Sequence, residues 1–88
     1  MNRVTISVVA GIVMYGTTWC GDCHRAKRFF DARGIAFDWI DIEQDEAAFE
    51  LVLERNAGKR VVPTIVFPDG SHLSEPTDAE LARKLDSA

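Results

Sequence analysis

The only two cysteines of this 88-residue chain, Cys20 and Cys23, are separated by two residues where a strand-like run meets a helix-like one. Ahead of them lies Gly11-Ile12-Val13-Met14-Tyr15, apolar and β-leaning. Behind them, His24 to Arg33 carries Ala26, Phe29 and Phe30 at i, i+3, i+4, a stripe that faces a core, with His24, Lys27, Arg28 and Asp31 on the opposite side. A helix that follows a strand and opens on a close thiol pair is suited to redox chemistry. Three positions apart in the first helical turn, two cysteines can join with little backbone movement.

The two sulfurs are not equivalent. Cys20, at the helix start, meets backbone N–H groups without helical partners and the positive end of the helix dipole, which favour a thiolate. Cys23, one turn inside, is expected to be more buried and to remain a thiol until needed. Cys20 is therefore the expected nucleophile in thiol–disulfide exchange and Cys23 the resolving thiol. Trp19 is expected to cover the apolar side of the pair. Asp22 places a carboxylate between the sulfurs, where like charge opposes thiolate formation; it is a candidate for pKa tuning. The simpler account is a solvent-facing residue that suits the first helical turn.

The remaining chain reads as alternating elements. Ile12–Tyr15 is the expected central strand, with residues 1–10 a tail or an extension of it. The helix stops at Gly34 as a left-handed residue. Ala36–Ile42 is a second strand with period-2 patterning. Asp45 caps a second helix, with Ala48, Phe49, Val52 and Leu53 inward and Gly58 ending it. Val61–Phe67 is a third strand, and Asp69-Gly70 predicts a two-residue hairpin turn returning through Ser71-His72-Leu73. Thr77-x-x-Glu80 is a capping box for a last helix carrying Leu81, Ala82 and Leu85. The order β-α-β-α-β-β-α gives a single α/β domain over residues 1–88: a four-stranded mixed sheet with three helices on its two faces, the first βαβ unit parallel and right-handed.

Val62-Pro63 interrupts the third strand, because proline cannot donate to a ladder. A cis bond there would turn the backbone of Val62 outward beside the dithiol, where an extended substrate could pair; the alternative is a trans proline at a strand start. The net charge of −4 argues against a nucleic-acid surface. Asn2-Arg3 and the apolar run Val4 to Ala10 are read as strand-forming rather than as an export signal, and the run is too short to span a bilayer. The expected location is the cytoplasm, where a close cysteine pair is more often catalytic or metal-binding than a structural staple.

Taken together, Tyr15-x-Thr17-x-Trp19-Cys20-x-x-Cys23, Arg60-Val61-Val62-Pro63-Thr64, Asp69-Gly70 and the Thr77-Asp78 helix start resemble the glutaredoxin family of the thioredoxin superfamily, over Ile12 to Leu85. Asn56-x-Gly58-x-Arg60 and Asp69-Gly70-Ser71-x-Leu73-x-x-Pro76 resemble its mycoredoxin branch. The resemblance implies a thioredoxin-like (glutaredoxin) fold and a dithiol-disulfide oxidoreductase. No cofactor is implied as tightly bound, no metal is expected, and a low-molecular-weight thiol, mycothiol or glutathione, is the implied co-substrate. It further implies that Trp19, Val62, Pro63, Arg60, Thr77 and Asp78 meet the substrate: Val62 through its backbone, Arg60 through its charge, and the last two at the helix end, a natural anion site. Expected partners are small thiols and disulfide-bearing proteins, with no nucleic acid or membrane, and the protein is expected to be a monomer. Gly21-Asp22 replaces the Pro-Tyr or Gly-Tyr usual between the cysteines, and Ser74-Glu75-Pro76 replaces a Gly-Gly pair. Two alternatives are an Fe–S cluster shared across a dimer, since two cysteines cannot complete a site alone, and a general protein-disulfide reductase supplied by a flavoprotein reductase. His24, His72 and the basic residues Arg25, Lys27 and Arg28 are expected to be surface groups.

Overall fold

The structure, a computed structural model, describes residues 11–86. Residues 1–10, read as a tail or an extension of the first strand, lie outside the described residues. The elements are β1 (Val13–Gly16), α1 (Gly21–Ala32), β2 (Asp38–Asp41), α2 (Glu46–Arg55), β3 (Thr64–Val66), β4 (His72–Ser74) and α3 (Asp78–Asp86). The strands lie in the order β2-β1-β3-β4. β1 runs parallel to β2, with Met14 opposite Trp39, and antiparallel to β3, with Met14 opposite Ile65. β4 closes the other edge antiparallel to β3.

Alternation along β1 builds both halves of the core, since successive side chains point to opposite faces. Ile12 and Met14 point one way and pack with Ala26 and Phe30 of α1, Ile65, Phe67, and Leu81 of α3. Tyr15 points the other way, into the cluster of Ile42, Ala48 and Val52 that α2 closes. Phe30 is fully buried and meets the Phe37 ring at a centroid distance of 5.3 Å.

Local signals set most of the helix ends. The carboxylate of Asp45 accepts the Ala48 N–H at 3.0 Å. Thr77 and Glu80 form the capping box reciprocally, at 3.1 and 2.8 Å. α1 ends in a Schellman motif: Gly34 has φ +66°, its N–H donates to the Asp31 carbonyl, and the Ile35 N–H donates to that of Phe30. At the end of α2, Gly58 takes the left-handed conformation expected of a helix stop (φ 86°), with its N–H on the Leu53 carbonyl at 2.7 Å, and Ala57 before it is left-handed as well (φ 56°).

Two strand expectations are corrected. β3 begins only at Thr64, because the Val62–Pro63 bond is cis and Pro63 offers no N–H to the ladder, so Val61 and Val62 fall outside it. The hairpin loop has three residues, not two. The Gly70 N–H donates to the Phe67 carbonyl and the Phe67 N–H to the Ser71 carbonyl, both at 2.9 Å. Pro68 and Asp69 thus occupy the turn, and Gly70, at φ +89°, is the left-handed residue that follows it. β4 accordingly starts at His72, which is half-buried with Nδ1 3.2 Å from Arg55 Nη1, rather than a plain surface group.

Phe30→Ala should remove about 3–5 kcal/mol of stability, the usual cost of emptying a buried aromatic site. Urea unfolding of the reduced protein measures it; a loss under about 1 kcal/mol would show that this face does not hold the sheet and helices together.

Candidate active site

Cys20 is the N-cap of α1, in an extended conformation (φ −82°, ψ 114°), so its sulfur hangs over the open end of the helix. Its Sγ accepts the Cys23 N–H at 3.1 Å. The loop from Gly16 brings it there, with the Cys20 N–H on the Thr17 carbonyl at 3.3 Å. Across the site, the Val62 carbonyl lies 3.9 Å from the same sulfur, in reach of the thiol proton, so the residue before the cis-proline faces the dithiol as one of the sequence alternatives required.

The two thiols differ in exposure as expected: Cys20 keeps 7% of its surface and Cys23 none. Burial pushes the Cys23 thiol up to about 12, with the hydrogen bond to Cys20 adding to the effect. Cys23 therefore holds its proton at neutral pH. Its sulfur sits under the end of β1, and only glycine leaves room for it. A Cβ on Gly16 would lie 2.5 Å from Cys23 Sγ and 2.8 Å from the Trp39 ring.

Asp22 lies in the first turn of α1 with its side chain 42% exposed, and its charge adds to the upward push on the Cys23 thiol. Its carboxylate pairs with Arg25 Nε at 3.0 Å. Arg25 also donates to the Asp78 carboxylate through Nη1 and to the Pro76 carbonyl through Nη2 at 2.6 Å. Arg25, read from sequence as part of a solvated face, thus joins the first turns of α1 and α3. The i, i+3 spacing to Asp22 was the only local signal for it; Pro76 and Asp78 are brought in by the fold. His24 is exposed, as expected, with Nε2 2.8 Å from the Thr18 carbonyl.

Trp19 is 60% exposed, beside Cys20, with its indole N–H shared between the two carboxylate oxygens of Glu43 at 3.2 Å each. Glu43 also pairs with Arg60, Oε2 to Nη1 at 3.7 Å, and the guanidinium lies 5.5 Å from the Trp19 ring centre. Sequence reasoning placed Trp19 and Arg60 near the dithiol but had no signal for Glu43. At the other candidate contact, the Thr77 N–H and hydroxyl are engaged by Glu80, and the Asp78 carboxylate by Arg25. Among the described residues no group of three or more His, Cys, Asp or Glu side chains is placed to hold a metal ion.

A helix that opens on a dithiol, facing a cis-proline across a β2-β1-β3-β4 sheet, defines the class of thioredoxin-fold dithiol oxidoreductases. Within that class the chain belongs to the glutaredoxin family, whose model matches residues 12–73. A Mycobacterium tuberculosis (strain H37Rv) protein named as a glutaredoxin is 45% identical over 78 residues, 89% of this chain and 93% of that protein. Mycoredoxin 1 of Corynebacterium glutamicum is 37% identical over 79 residues, covering 90% and 98% of the two chains. These relatives support the mycoredoxin-like branch. In three dimensions the glutaredoxin crystal structure from Archaeoglobus fulgidus superposes with a TM-score of 0.73 at 24% identity, over 97% of this chain and 96% of that one. The protein is a dithiol-disulfide oxidoreductase.

Gly16→Ala should cost about 1–3 kcal/mol through overpacking and make Cys23 accessible to alkylation in the folded state; unchanged stability with Cys23 still protected would contradict the close fit. The Cys23 thiol also carries a pH signature. An unfolded cysteine releases its proton near 9.0 and the folded one near 12, so the folded state holds the extra proton between those values. Stability of the reduced protein should therefore be intact below pH 9 and fall as pH rises toward 12, with a slope of up to ~1.4 kcal/mol per pH unit. Cys23→Ser should flatten that slope in denaturant titrations at pH 8, 9 and 10.

Proposed function

We propose that the protein reduces mixed disulfides between proteins and a low-molecular-weight thiol, with Cys20 as nucleophile and Cys23 as resolving thiol. The observation that carries this reading is the asymmetry of the pair: Cys20 Sγ takes the Cys23 N–H at 3.1 Å at the helix end, while Cys23 is fully buried and protonated. A thiolate on Cys20 attacks one sulfur of the substrate disulfide and displaces the other as a thiolate. Cys23, its proton passing to the departing thiolate, then attacks the Cys20 sulfur and releases the second thiol. The product is the Cys20–Cys23 disulfide, and two molecules of a small thiol return it to the dithiol.

Val62, whose carbonyl faces Cys20, supplies backbone pairing to the cysteinyl part of the substrate next to Pro63. Trp19 precedes Cys20 and has the Arg60 guanidinium 5.5 Å from its ring centre, and Asp78 at the start of α3 accepts from Arg25. The Arg25 guanidinium meets the Asp22 carboxylate that stands between the two cysteines. Similarity to mycoredoxin 1 favours mycothiol as the co-substrate, with glutathione the alternative. The cytoplasm, where small thiols are kept reduced, is the compartment that suits this chemistry. No helix among the described residues is long and apolar enough to cross a membrane.

Cys20→Ser should abolish reduction of every substrate, and Cys23→Ser should stop dithiol turnover while leaving deglutathionylation or demycothiolation measurable. Turnover of a mixed-disulfide peptide with mycothiol, glutathione or a flavoprotein thioredoxin reductase supplying electrons would be followed in parallel. Loss of all activity in a folded Cys23→Ser protein would reverse the assignment of the two sulfurs.

A further inference from the structure

We infer that Glu43 sets the charge preference of the site, tuning it toward disulfides of uncharged small thiols and away from anionic ones. The inference rests on small-thiol exchange at Cys20, as proposed above. Arg60 is the guanidinium beside Trp19, and a free guanidinium there would attract a substrate carboxylate. Glu43 Oε2 lies 3.7 Å from it and cancels that charge within the protein. The same carboxylate holds the Trp19 indole N–H, leaving the exposed ring as an uncharged face beside Cys20.

Glu43 is not a loosely placed surface residue. Its N–H donates to the Asp41 carboxylate at 2.9 Å, and the Gln44 N–H donates to the Asp41 carbonyl at 3.0 Å, closing a turn around it. The next anchor is Ile42, 3% exposed, whose N–H donates to the Gly16 carbonyl at 3.0 Å. Gly16 is the residue whose missing side chain makes room for Cys23. Glu43 is therefore held by the same stretch of β1 that seats the dithiol, and it acts as a positioning residue through Trp19 and Arg60. The Arg60 and Glu43 side chains remain 44% and 43% exposed. Water screens such a pair, so the effect is a preference rather than an exclusion.

Glu43→Gln isolates the charge, because an amide oxygen still accepts the Trp19 N–H while the negative charge on Arg60 is gone. Pre-reduced protein would be mixed with a peptide carrying its cysteine as a disulfide with 3-mercaptopropionate, or with the neutral 3-mercaptopropanol of the same length. The single-turnover rate constant is read for each; the protein dithiol supplies both electrons. In the variant the anionic substrate should react about three- to tenfold faster and the neutral one at the wild-type rate. The gain should vanish at about 1 M salt, where the Debye length is ~3 Å, and in the Glu43→Gln/Arg60→Gln double variant. An unmoved ratio, or equal changes for both substrates, would overturn the inference. A wild-type protein that reduces neither substrate would remove the exchange reading itself, and this inference with it.

Discussion

Helix α1 rests on the last residue of β1, and the position of the dithiol follows from that contact. Ala26 and Phe30 bind the helix to Met14 and Ile65, while Gly16 lets the sulfur of Cys23 approach the strand backbone where any Cβ would intrude. Burial of Cys23 in turn keeps it protonated, and its backbone N–H is free to point at Cys20 because the first turn of a helix has no carbonyl to receive it. Exposure, protonation and hydrogen bonding of the two sulfurs are thus three consequences of one packing arrangement.

Around this seat the charges are arranged in two closed groups. On one side Arg25 ties Asp22 to Asp78 and to the carbonyl of the buried Pro76, fixing the start of α3 against the start of α1. On the other, Glu43 ties Trp19 to Arg60. Partly exposed ion pairs contribute only about 0–1 kcal/mol each to stability. Their consequence is local: the carboxylate between the cysteines and the cation near the cis-proline are each met by an opposite charge within the protein.

Much of this was legible in the sequence wherever the information was local. The stripe Ala26, Phe29, Phe30 specified a helix and its inner face; Asp45, Gly34 and the Thr77–Glu80 box marked helix ends by hydrogen bonds within a few residues. The errors arose where neighbouring signals competed. Asp69-Gly70 suggested a two-residue turn, but Pro68 suits the first turn position, so Gly70 moves to the left-handed site after it. At the end of α2, Asn56 directs its side chain to the Val52 carbonyl and to Thr64, and Ala57 joins Gly58 at positive φ, which no residue type there announced. Arg25 was read as a surface group and Glu43 was missed because Asp78 and Pro76 for the one, and Trp19 and Arg60 for the other, lie far away in sequence; the i, i+3 spacing of Arg25 to Asp22 was the one local sign.

The sequence by itself determined the order of elements, the faces they bury and the pair of sulfurs that carries the chemistry, because periodicity, capping and cysteine spacing act over a few residues of chain. Only the tertiary structure decided which of the charged side chains meet. Asp22 and Asp78 share one arginine, and Trp19 and Arg60 share one glutamate, because the sheet brings segments 17 to 53 residues apart within hydrogen-bonding or ion-pairing distance. Such contacts depend on where whole elements dock, and no local pattern of residues encodes that.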